Sequence, residues 1–261
     1  MVNHRRALIT GAAHGIGRAV AERLATAGVD VICADIARAD LDETVEAITR
    51  AGGSAVAMTL DIGDSASISG AVSALHAAGS ASAPALDVLV NNAAIADVTD
   101  TRDLTMDRFR SVLDVNLLGA VDLTLGLLPM LRRSESGRIV NVASVQGLVG
   151  TRNSLSYATA KGGLLSFTRA LAADLADDDV LVNALAPGFV DTRMSVGLDG
   201  VSEYDSELFK TVYQRHSGIP LRRPASAREM AEITAFLCSV DNTYITAQTI
   251  VADGGMTATF S

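Results

Sequence analysis

Tyr157 and Lys161 stand four residues apart in "SYATAK", with only small residues between them. On a helix this spacing stacks both side chains on one face. A phenol with a pKa near 10 is a poor base at neutral pH, but a nearby ammonium stabilises its phenolate and lowers that value. The pair therefore reads as one acid–base unit. Ser144 lies thirteen residues earlier, at the end of a β-branched run, where its hydroxyl can hold a substrate oxygen. Asn116, in "LDVNLLG", falls on the apolar face traced by Phe109, Val112, Leu113 and Leu117. A buried amide must be satisfied. Asn116 either fixes a water between Lys161 and solvent, giving the proton a route out, or bonds its own helix backbone.

A second group of residues supplies a place for a hydride carrier. "TGAAHGIG" (10–17) places glycines at 11, 15 and 17, between a strand and a helix. They permit a tight turn and let backbone approach a diphosphate at the helix N-terminus. Thr10, His14 and Ile16 belong to the same stretch. The spacing is G-x-x-x-G-x-G, not the G-x-G-x-x-G fingerprint. Asp35, followed by Ile36 in "ICADIA", is placed to accept hydrogen bonds from a ribose hydroxyl and to repel a 2′-phosphate. That favours NAD over NADP; the plainer reading is a turn or helix-cap residue. Asp61 and Ile62 in "LDI" face the adenine edge, and Asn91 and Ala93 in "NNAA" let the backbone pass beneath the cofactor. With NAD in place, Tyr157 takes the proton from an alcohol while hydride leaves carbon for the nicotinamide.

These residues need a scaffold that brings them to one edge. Apolar runs at 7–10, 29–34, 55–60, 86–91, 138–144, 180–186 and 247–253 read as seven strands, mostly without alternation, as in parallel strands covered on both faces. Helical stretches alternate with them at 16–27, 38–51, 65–79, 104–133, 155–177 and 226–239. The alternation predicts a doubly wound parallel α/β sheet in three layers, as one domain over 1–261. Residues 77–84 read as a loop and "DDD" (177–179) as a solvated turn. Residues 193–223 are longer than a strand-to-helix loop requires and hold aromatics, so they predict a substrate lid with short helices of its own.

The bulk composition narrows the function classes. A formal net charge of −9 opposes a nucleic-acid surface. No apolar run approaches a membrane span, and the apolar segment after the N-terminal arginines is too short for a signal peptide. The expected compartment is the cytoplasm. Cys33 and Cys238 sit in apolar contexts far apart, and the four histidines share no ligand spacing, so no catalytic metal is expected.

Taken together, "TGAAHGIG", "NNAA", Asn116, Ser144, "YATAK" and "PGFVDT" (187–192) resemble the short-chain dehydrogenase/reductase family over essentially the whole chain. The resemblance implies a seven-stranded Rossmann sheet and an Asn116–Ser144–Tyr157–Lys161 tetrad. It implies that Lys161 also binds the nicotinamide ribose, that Val190 and Thr192 hold the carboxamide, and that Pro187 and Gly188 shape the turn. It further implies a homotetramer or homodimer packed through the two long central helices and the C-terminal strand. Two positions depart from the pattern: Ala94 replaces the usual glycine, and Leu181 stands where an arginine is common.

Gln146 and Asn153, with Ser144, Tyr157 and Phe189, are the candidate substrate contacts, and their polarity suits a hydroxylated substrate. "VASVQGLVGTRNSLSYATAK" and "GIPLRRPA" resemble members acting on sugars, polyols or hydroxy acids. The expectation is an NAD-dependent dehydrogenase of a small polar secondary alcohol. A 3-oxoacyl carrier-protein reductase, a steroid dehydrogenase and a catalytically idle NAD-binding regulator are the alternatives.

Overall fold

Seven short strands lie side by side, all parallel, in the computed structural model, which describes residues 5–78, 86–196 and 200–259. They are β1 (Arg6–Thr10), β2 (Asp30–Asp35), β3 (Ala55–Thr59), β4 (Val88–Asn91), β5 (Arg138–Val142), β6 (Leu181–Pro187) and β7 (Thr249–Ala252). Their order is β3-β2-β1-β4-β5-β6-β7. The direction of winding reverses between β1 and β4, and the crevice outside the carboxyl ends of the strands at such a point is where ligands bind.

Alternation along each strand feeds two apolar layers. Ala7, Ile9, Val31, Cys33, Val88 and Val90 pack beneath α1 (Gly15–Thr26), α2 (Arg38–Arg50) and, toward β5, the last helix. Leu8, Ile32, Leu89 and Ile139 face the other way, onto α3 (Ser65–Ala78), α4 (Met106–Leu131) and α5 (Leu155–Asp174). The last helix, α6 (Ala227–Cys238), starts with a capping box in which Ser226 and Glu229 exchange hydrogen bonds. Two arginines, Arg138 buried and Arg5 half-buried, close its far end. Arg5 donates to the Cys238 carbonyl and Arg138 to those of Ser239 and Asn242, so cations meet the negative end of the helix. Both thiols are buried, and burial pushes each pKa up to about 12.

Helix α4 departs from expectation twice. Its 26 residues are long and apolar enough by composition to cross a bilayer, contrary to the sequence expectation. Here that apolarity is used in the core, where Leu123, Leu127, Met130 and Leu131 are almost fully buried. The helix also widens into a π turn at Asp114–Leu118. The 77–84 loop lies largely outside the described residues, as does part of the predicted lid. "DDD" is more than solvated: Asp178 pairs with Arg132 at 2.7 Å.

Candidate active site

The glycine-rich turn is shaped by what a side chain would strike. A Cβ on Gly17 would fall 2.1 Å from the Gly11 carbonyl, so only glycine lets α1 start this close to β1. Gly11 adopts φ +66°, and a Cβ there would meet Asn92 at 2.7 Å and the Ala93 backbone at 2.9 Å. Asn92 donates from its amide to the carbonyl of Thr10 at 2.9 Å, while Thr10 Oγ1 accepts from the N–H groups of Asn92 and Ala93. The turn after β4 is thereby tied to the turn after β1. Asn91, expected to touch the cofactor, turns its side chain away from the cleft: its amide donates inside the core to Thr124 and Asn141. Strand alternation turns residue 91 inward and leaves Asn92 to line the cleft.

Asp35 is held by two backbone donors, Ala13 N–H at 3.1 Å and Ala37 N–H at 3.0 Å. It therefore braces the glycine-rich turn, in line with the plainer reading of the sequence, and also lines the cleft. Thr10, Gly11, Asp35, Ile36, Asp61, Ile62 and Ala93 line a slot of about 190 Å³. Beside it opens a cavity of about 1040 Å³ that contains Gly11, His14, Gly15 and Ile16 at one end and Ser144, Gln146, Tyr157, Lys161 and Phe189 at the other. Pro187, Gly188, Val190 and Thr192 form the wall between. Ala94, at the position that departs from the usual glycine, lines both spaces. The paired spaces and the glycine cradle at the start of α1 fit a dinucleotide laid across the β1–β4 reversal.

Three of the four reactive side chains converge on the cavity. Ser144 follows β5, and its Oγ accepts from Gln146 N–H at 3.1 Å, which leaves the hydroxyl proton free to donate. Burial raises the pKa of Tyr157, and the neighbouring Ser144 hydroxyl, the smaller effect, lowers it. Lys161 is 2% exposed, and its Nζ lies 5.7 Å from the Tyr157 ring centroid while donating to the Val142 carbonyl at 2.8 Å. Burial depresses the lysine pKa to about 8. The expectation that the ammonium draws the phenol down is thus corrected for the protein alone. The ammonium is turned toward a carbonyl, and desolvation acts on both groups.

Asn116 sits in the π turn of α4 and does not bond its own helix. Its amide exchanges two hydrogen bonds with the peptide of Ile95, accepting from N–H at 2.8 Å and donating to C=O at 2.9 Å. A π turn of this kind re-aims one residue, and such turns gather at functional sites. Asn153 is not brought into the cavity: it is exposed with φ 60°, a left-handed turn residue, and Ser154 lines the wall in its place.

The described part of residues 193–223 carries short helical turns at Arg193–Ser195, Glu203–Asp205, Glu207–Phe209 and Lys210–Arg215. Phe189 packs against Tyr204, Phe209 and Tyr213 with ring centroids 4.7–6.0 Å apart. Tyr204 Oη donates to the Val190 carbonyl at 2.8 Å. At the start of this segment, Arg193 Nη1 approaches His14 Nε2 at 2.6 Å, and that nitrogen is 2.7 Å from Asp40. Met194, Val201 and Glu203 complete the wall. Length and aromatic content mark this segment in the sequence, but not which of its residues line the cavity, because irregular segments carry no periodicity.

Comparison with known proteins agrees with this geometry. The family model described as enoyl-(acyl carrier protein) reductase matches residues 11–257. The 3-oxoacyl-[acyl-carrier-protein] reductase of Aquifex aeolicus is 37% identical over 255 residues, covering 95% of this chain and 96% of that protein. The cis-4-hydroxycyclohexanecarboxylate dehydrogenase of Sinomonas cyclohexanicum is 36% identical over 255 residues, covering 97% of each. A solved structure from Beutenbergia cavernae has a TM-score of 0.90 at 34% identity, covering 99% of this chain and 98% of that one. It is described as a candidate NAD(P)-dependent gluconate 5-dehydrogenase and holds NADP at low occupancy.

Proposed function

Because this chain belongs to the short-chain dehydrogenase/reductase family, we propose that it interconverts a secondary alcohol and a ketone on a small polar substrate, with NAD as the hydride carrier. A sugar, polyol or related hydroxy acid is the substrate class. The observation that carries the reading is the Ser144–Tyr157–Lys161 group, set in the same cavity as the glycine-rich turn.

When bound, the nicotinamide supplies or accepts the hydride, and its positive oxidised ring favours the phenolate. The chain's own residues handle the proton. Ser144, whose Oγ is held in place by Gln146 N–H, donates to the substrate oxygen together with Tyr157. Tyr157 takes the alcohol proton at Oη, or returns it to the carbonyl oxygen in reverse. Lys161 keeps a positive charge near the phenol and reaches the nicotinamide ribose. Gln146 lines the cavity two residues from Ser144, so its amide contacts the remainder of the substrate, and Phe189 closes the apolar side. Val190 and Thr192 hold the carboxamide. Asp35 supports NAD, since a carboxylate there repels a 2′-phosphate. In this reading the protein works in the cytoplasm as a single domain, and the lid folds over substrate.

The relative from Aquifex aeolicus favours a second reading, reduction of a 3-oxoacyl thioester on a carrier protein. The net charge of −9 opposes it, because a carrier rich in acidic groups would be repelled. The deciding experiment is a turnover screen of sugars, polyols, hydroxy acids, steroids and hydroxyacyl thioesters with NAD and NADP. The expected result is NAD-linked oxidation of polar alcohols that Tyr157→Phe abolishes while cofactor binding persists. Turnover only of thioesters, or an NADP preference, overturns the corresponding part of the proposal.

A further inference from the structure

Asp97 belongs to none of the motifs above, yet it is the most enclosed carboxylate near the site. Its side chain is 1% exposed. A lone buried carboxylate is strongly unfavourable, so it must be paired and hydrogen-bonded. Three donors surround it, each from a different segment. Thr99 Oγ1 donates to Oδ1 at 2.7 Å from the same loop. Arg108 Nε donates to Oδ1 at 2.9 Å from the first turn of α4, and its Nη2 holds the Ala96 carbonyl at 3.1 Å. Ser156 Oγ, fully buried in the first turn of α5, donates to Oδ2.

Ser156 directly precedes Tyr157, and Asn116 holds Ile95 two residues before Asp97. The loop 95–97 therefore joins the π turn of α4 to the start of the catalytic helix. The N-cap residue of α5, Ser154, makes no side-chain capping bond, so this carboxylate is the negative group serving that helix start. Helix starts fray unless held, and Tyr157 is only the third residue of α5.

We propose that Asp97 is a positioning residue: through Ser156 it fixes the first turn of α5, and with it the place of the Tyr157 hydroxyl relative to Ser144 and Lys161. Its effect on turnover rests on the dehydrogenase reading above. Its effect on the placement of Tyr157 does not. A misplacement of about 1 Å in a reacting group lowers turnover by about 10²-fold.

The test uses Ser156→Ala, which removes one hydroxyl, and Asp97→Asn, which keeps the shape and loses the charge. The first readout needs no substrate: phenol ionisation of Tyr157 in the free protein, taken as the ultraviolet titration difference from Tyr157→Phe. Burial raises this phenol's pKa in the parent. In both variants the titration is expected to fall toward the ordinary tyrosine value. A parent-like titration in Ser156→Ala overturns the proposal whatever the turnover shows. The second readout is steady-state kinetics on an alcohol found by the screen. The expected result is a kcat lowered about 10²-fold, cofactor affinity within about twofold of the parent, and a double variant no worse than the poorer single one. Equal loss of kcat and cofactor affinity also overturns the proposal, since that marks a general loosening. Absence of turnover in the parent itself counts against the dehydrogenase reading alone.

Discussion

Lys161 is a cation enclosed by protein, and its chemistry can be read through stability. Its ordinary pKa of 10.5 falls to about 8 in the folded chain because burial disfavours the charged form. Between these values the unfolded chain binds more protons than the native one, so raising the pH stabilises the fold. The difference corresponds to about 3 kcal/mol at most. We expect the parent to gain stability relative to Lys161→Met as pH rises from about 8 to about 10, with no relative change between pH 6 and 7. Denaturant unfolding at several pH values reads this directly, and a flat difference would show that the lysine is better solvated than its 2% exposure suggests. A second consequence lies in Ser144. Its Oγ already accepts from Gln146 N–H, which uses one of its two lone pairs and fixes the oxygen's place before any substrate arrives.

At the scale of elements, the site is made by close crossings. Gly147, on the turn after Ser144, lies against α5: a Cβ there would stand 2.8 Å from the Lys161 carbonyl carbon and 2.9 Å from its oxygen. Gly147→Ala is expected to destabilise the protein by about 1–3 kcal/mol, as overpacking does, and to lower kcat more than cofactor affinity. Thermal unfolding with cofactor titration tests this; an unchanged melting temperature would mean that the turn gives way freely. The seven strands and the six long helices follow hydrophobic pattern closely enough to be read from sequence, as do Ser144, Tyr157, Lys161 and the glycines, whose chemistry is local. What was not legible depends on a single residue's facing. Asn91 and Asn92 are adjacent and chemically identical, and only the strand's end decides which one meets the cleft. The π turn inserts one residue into a continuous apolar helix, which leaves the periodicity almost unchanged. Asn153 is polar and near Tyr157 in sequence, yet its left-handed backbone places it outside the wall. Asp97 joins segments distant in sequence, so nothing in its neighbours marks it.

For the whole molecule, the apolar surface points to assembly. Leu118 and Leu125 on α4 and Leu155 on α5 are each about half exposed, and β7 is an edge strand bearing Val251, near the end of the chain. Edges and apolar faces of this kind are commonly covered by a partner. We expect a dimer or tetramer by light scattering, and Leu118→Asp with Leu125→Lys should shift it to a smaller species. A monomeric parent at micromolar concentration would refute this.

The aromatic cluster around Phe189 has an optical consequence. The chain has no tryptophan and four tyrosines. Tyr157 is in the site, Tyr204 and Tyr213 pack against Phe189, and Tyr244 stands 96% exposed. Three of the four tyrosines therefore lie in the cavity wall or in the aromatic cluster behind it, unmasked by indole emission. With Tyr244→Phe, the protein's own ultraviolet emission becomes a label-free reporter of that region.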